Sequence, residues 1–167
     1  LIGFAALLLV SGIYFYGWLK DYENTRPEVV AKGVISKYIE NGNAGAMKSD
    51  CALDLSDYET EKSVSQAVES FTKTKKITLS TSGKKVKGYD FAYNIKADDK
   101  TFLSIYLVKN KDKTFFGHYG YSVKKSAFAD SFYKTAVIKL SSDEDITVNG
   151  IKLKDNDRTD DALPKLP

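Results

Sequence analysis

Histidine is the side chain best suited to moving a proton near neutral pH. This chain has one, His118, in Phe116-Gly117-His118-Tyr119. The alternation there predicts a strand on which His118 points away from Tyr119 and Tyr121, so it reads as a structural or surface residue. The alternative is a general base in a pocket. Cys51, the sole cysteine, lies beside Ala46 and Met47 with no histidine near it in sequence. It reads as a buried, inert thiol rather than a nucleophile. One cysteine also excludes an internal disulfide and a cysteine-rich zinc site. Asp98-Asp99 and Asp143-Glu144-Asp145 have neither EF-hand spacing nor a histidine partner, and read as solvated turns. Phosphate loops of the GxxxxGK and GxGxxG types are absent, as is a GxSxG nucleophile elbow. The sequence thus predicts no catalytic residue, no metal and no cofactor.

Charge is the feature that departs from background. Between Thr72 and Lys125 lie 13 lysines against Asp90, Asp98, Asp99 and Asp112, so 13 − 4 gives +9, while the whole chain is +3. Lys73, Lys75, Lys76, Lys84, Lys85, Lys87, Lys109, Lys111 and Lys113 are the candidate contacts to an anionic surface, lipid head groups or a cell-wall polyanion. The plainer reading is a sheet kept soluble by lysines on its edges. Nucleic acid is not expected, because lysine dominates over arginine and the aromatic residues read as core.

The elements that must position these residues begin with Leu1 to Leu19, LIGFAALLLVSGIYFYGWL, which carries no charge. As a helix it would span roughly 28 Å, near the ~30 Å of a bilayer core. Leu1, Leu7, Leu8 and Leu9 supply the apolar body, and Tyr14, Tyr16 and Trp18 the interfacial rings. The expectation is a single-pass membrane anchor with the domain on the extracytoplasmic side, and with residues preceding Leu1. Cleavage near Val10-Ser11-Gly12 is the alternative. Residues 20–26 read as a polar connector. Pro27 opens a helix with Thr25 as its cap, and Val30, Val34, Ile35, Tyr38 and Ile39 recur at helical spacing until Asn41-Gly42-Asn43. Ala44–Asp50 and Glu59–Phe71 read as two further helices.

The period then changes to two. Ile77–Thr81, Tyr89–Ile95, Thr101–Lys109 and Thr114–Lys125 read as strands of an antiparallel meander, covered on one face by the helices. Residues 27–125 form this α+β domain and 126–134 a linker. Residues 135–167 form part of a β-module, with a strand from Thr135 to Leu140. Asn149-Gly150 predicts a type I′ turn that sets Val148 against Ile151, Thr147 against Lys152 and Asp145 against Lys154. So few strands rarely stand alone, so residues beyond the chain are expected to complete the module.

The helix PEVVAKGVISKYIENGNAGAMKSD, followed by aromatic-rich strands, resembles the nuclear-transport-factor-two-like (cystatin-like, SnoaL-like) α+β cone. The order of anchor, cone and an ITVNGIKL hairpin resembles membrane-anchored surface proteins of Gram-positive bacteria, distantly of the TcaA type. The resemblance implies a binding, sensing or scaffolding module of the cell envelope without a cofactor. Its partners would be membrane, anionic wall polymer or envelope proteins, and it carries over no catalytic residue. A small-molecule enzyme with its pocket near His118 is the alternative.

Overall fold

The computed structural model describes residues 2–83, 85–133 and 146–153. Among the described residues four α-helices come first and a four-stranded sheet follows, as the change of period demands. They are α1 (Ile2–Thr25), α2 (Pro27–Val34), α3 (Met47–Asp50) and α4 (Glu61–Thr72), with β1 (Ile77–Thr81), β2 (Phe91–Ala97), β3 (Lys100–Lys113) and β4 (Tyr119–Phe128). The chain is α+β. The strands lie in the order β1-β2-β3-β4, all neighbours antiparallel.

The first helix corrects the membrane reading. Among the described residues no helix is long and apolar enough to cross a membrane. Ser11, Gly12, Gly17 and the tyrosines dilute the apolar run, and Lys20, Asp21 and Glu23 enter the same helix before it ends at Thr25. Tyr14 and Trp18, read as interfacial rings, instead pack on the domain's own β3–β4 turn. The single-pass anchor built on Leu7, Leu8, Leu9, Tyr14, Tyr16 and Trp18 is withdrawn, and with it the placement at a cell membrane; Leu1 lies outside the described residues. The first of those positions remain apolar and exposed, as do Phe4, Val10 and Ile13. The expected connector is helical, leaving only Arg26 between α1 and α2. Thr25 therefore does not cap α2. Its hydroxyl donates back to the Tyr22 carbonyl, and Arg26 holds the cap position.

Helix α2 runs into a π-helical turn, Ile35–Glu40, and ends where Gly42 takes φ +65°. Together these turns bury Ala31, Val34, Ile35, Tyr38 and Ile39. Thr60 and Ser63 form a reciprocal capping box on α4, whose Val64 and Val68 meet the same core. From the sheet come Ile95, Leu103, Ile105 and Leu107, all fully buried. Burial of each such side chain contributes about 1.5–3 kcal/mol.

The topology has two poles. The β2–β3 turn, where Asp98 and Asp99 both take positive φ, lies at one end. Residues 82–83 and 85–90 and the β3–β4 turn lie at the other, because Phe91 opposes Leu107 and β3 continues beyond it to Lys113. Ser126 is fully buried in β4 and donates to the Cys51 carbonyl, so the stretch read as a linker starts inside the domain. Beyond it, β5 (Thr147–Val148) and β6 (Ile151–Lys152) form the type I′ hairpin in the expected register, with Asn149 at φ +52° and Gly150 at φ +81°. Leu153 is buried, and the Asn149 amide donates to the Tyr58 carbonyl. The Asp145–Lys154 pair, the strand from Thr135 to Leu140 and the Asp143-Glu144-Asp145 cluster fall outside the described residues.

Candidate functional site

The structure moves His118 from a strand into a turn. β3 runs four residues further than its alternation suggests, through an irregular register between Lys109 and Lys113, and β4 begins only at Tyr119. Thr114–His118 must therefore reverse the chain. The Gly117 N–H donates to the Thr114 carbonyl and the Thr114 N–H to that of His118, with Gly117 at φ +90°, a conformation that favours glycine.

Helix α1 lays one stripe, Tyr14, Trp18, Asp21, Tyr22 and Thr25, along this turn. Asp21 Oδ2 accepts from the Thr114 hydroxyl at 2.6 Å and lies 2.8 Å from His118 Nδ1. The His118 backbone N–H donates to the same hydroxyl, which closes the network. A carboxylate only accepts, so Nδ1 carries a proton, and when the ring holds only that one Nε2 is the acceptor. The Thr114 hydrogen bond holds Asp21 below the usual carboxylate range; the hydrogen bond and charge of His118 act the same way, against the opposing effect of burial. Both side chains are about one-fifth exposed. The His118 ring lies 4.9 Å from that of Trp18 and 5.4 Å from that of Tyr22. Gly17 makes the approach feasible, since a Cβ there would meet the Phe116 ring at 2.8 Å.

Beside this joint is a cavity of about 310 Å³, whose wall includes Tyr22, Arg26, Lys109, His118, Tyr119 and Tyr121. Lys109 Nζ stands 3.8 Å above the centre of the Tyr119 ring, and Lys113 Nζ 5.2 Å from it. Asp90 fixes the strand below by accepting the Lys109 backbone N–H at 2.7 Å. An ammonium group held over a ring keeps N–H donors free for charge-assisted hydrogen bonds to an anion on the same face.

The lysines read from the sequence divide between the poles. Lys73, Lys75 and Lys76 lie at the β2–β3 end, where Lys76 N–H donates to Asp98. Lys85, Lys87, Lys109, Lys111 and Lys113 lie at the other end; Lys84 falls outside the described residues. Of the second group, Lys109 lines the cavity with Arg26 and His118, and Lys113 reaches the Tyr119 ring of its wall. Arg26, Asp21 and Tyr22 were not among the sequence candidates. The signal that could have found Asp21 is an acidic residue two positions beyond the uncharged run Leu1 to Leu19.

Cys51 is buried, and burial raises its thiol pKa, so it does not join the site. Among the described residues, no group of three or more histidine, cysteine or acidic side chains is placed to hold a metal. No protein family, no curated protein and no solved structure matches this chain.

Proposed function

We propose that this domain is a binding module for an anionic polymer, which docks across the turn pole of the sheet. The supporting observation is that Arg26 and Lys109 line an aromatic-walled cavity at that pole, with Lys113 over the Tyr119 ring of its wall, while Lys85, Lys87 and Lys111 lie on the same end of the sheet. At the opposite pole Lys73 and Lys75 line a different hollow, whose wall also carries the carboxylates of Glu40 and Glu69. If six cations each neutralise one charge of a flexible polyanion, the logarithm of affinity should fall against the logarithm of salt with a slope of roughly −4. The discriminating measurement is calorimetric titration with inorganic polyphosphate and with a phosphate-bearing wall polymer over a salt series. Lys85→Glu/Lys87→Glu/Lys111→Glu should weaken binding at least about tenfold, whereas Lys73→Glu/Lys75→Glu/Lys76→Glu should change it by less than about threefold. Equal losses in the two triples would leave the lysines as a solubility device.

A second reading, an enzyme that cleaves such a ligand, is favoured by the Asp21–His118 pair. An aspartate on Nδ1 leaves Nε2 able to take a proton from an attacking water. Recovery of the polymer at intervals distinguishes the two. Unchanged polymer supports the module, and shortening that His118→Gln abolishes supports the enzyme.

A further inference from the structure

At the far end of β4 lies a second cavity of about 440 Å³, on the opposite pole from His118 and of opposite sign. Its wall is formed by Asp54, Leu55, Ser56, Glu59, Phe128 and Tyr133, with Ala127. Glu59 is only 3% exposed. One carboxylate oxygen, Oε2, accepts the Ser56 backbone N–H at 2.6 Å and so pins the loop before α4. The other, Oε1, is buried and has no hydrogen-bond partner among the described residues, and the Ser56 hydroxyl on the same wall is in the same state. A buried charge is costly unless it is paired, and an unpartnered carboxylate oxygen and hydroxyl in one wall require an explanation.

Pinning a loop would need only Oε2. The rest of the wall repeats the theme of negative charge. Tyr133 is pushed up to about 12, by burial first and then by the negative charge of Glu59, Asp54 and Asp130. Asp54 has Lys125 as a counterion at 3.4 Å, on the exposed side. Glu59 has none among the described residues. Phe128 and Tyr133 stand at 6.1 Å with their rings nearly perpendicular, so aromatic surface borders the carboxylate.

We propose that this cavity binds an organic ammonium ion, drawn by the Glu59 carboxylate and held against the Phe128 and Tyr133 rings. Cations favour aromatic faces, and an unsatisfied carboxylate and hydroxyl match the N–H donors of a primary ammonium. A bare metal ion would leave the rings without a role and would find too few oxygen ligands on this wall. The site is independent of the polyanion reading, since it shares no residue with the turn pole.

The experiment is an NMR titration of the full chain with methylammonium chloride, with sodium and calcium chlorides at matched ionic strength as parallel arms. Amide shifts at Ser56, Glu59 and Tyr133 should saturate with methylammonium alone. Glu59→Gln, which keeps the shape and removes the charge, should raise the dissociation constant at least about tenfold. Tyr133→Leu should weaken binding while leaving the carboxylate in place, and it decides the matter if Glu59→Gln does not fold. Shifts that fail to saturate, that persist undiminished in both variants, or that saturate with calcium instead would overturn the proposal.

Discussion

Phe116→Ala tests whether the β3–β4 turn is the joint that holds α1 on the domain. The Phe116 ring meets Tyr14 edge-on at 5.3 Å and rests on the bare backbone of Gly17, while its neighbour Phe115 is 90% exposed. Truncating a fully buried phenylalanine costs about 3–5 kcal/mol, and an aromatic pair contributes about 0.5–1.5 kcal/mol of that kind of stabilisation. Phe116 is half-buried, so its loss should weaken the joint by about 1.5–2.5 kcal/mol. Each 1.4 kcal/mol is tenfold, so the undocked population of the end of α1 should rise roughly tenfold to sixtyfold. Trp18, the only tryptophan in the chain, lies in the joint and reports on it directly. Its emission should move to the red in the variant, and amides from Trp18 to Thr25 should lose hydrogen-exchange protection by the same factor. Phe115→Ala is the internal control and should change stability by less than about 0.5 kcal/mol. The reasoning fails if protection from Trp18 to Thr25 is unchanged. It fails equally if protection drops alike across β2, β3 and β4, since that would mark Phe116 as part of the global core rather than of the joint.

Two further outcomes follow from the packing and the charges. Gly45→Ala should destabilise the fold by about 1–3 kcal/mol or more in chemical denaturation, because a Cβ there would strike the backbone of Glu61, 2.5 Å from its carbonyl carbon and Cα. Asp50 is lowered to about 2, first by the Tyr38 hydroxyl and then by Lys37 and Ser49. An acid depressed in the folded state stabilises above its unfolded value of about 3.9 and loses that effect as pH falls toward 2. Asp50→Asn should therefore be less stable than the wild type at pH 6, and the gap between their denaturation midpoints should close between about pH 4 and pH 2.

The parts of this fold that were legible in the sequence are those in which one local period carries the signal. Leu103, Ile105 and Leu107 alternate in the sequence and are all buried, and Asn149-Gly150 takes the positive φ pair that its turn type requires. The site was hidden because its decisive contact is between residues 97 apart. Alternation also misled at the turn itself, since Phe115, Gly117 and Tyr119 repeat at period two like a strand while only Gly117 marks a reversal. With the turn placed four residues too early, His118 fell on a strand with its side chain opposite Tyr119; in the structure both line one cavity. The same cause explains the error at α1. Tyr14 and Trp18 satisfy the pattern of interfacial rings, yet rings two turns of helix or less from Asp21 can as readily stack on whatever that aspartate binds. A carboxylate on a helix of apolar and aromatic residues is costly to bury without a partner. It follows that Asp21, just beyond the uncharged run that ends at Leu19, is the residue whose partners the fold must supply, and Thr114 and the chain's only histidine supply them.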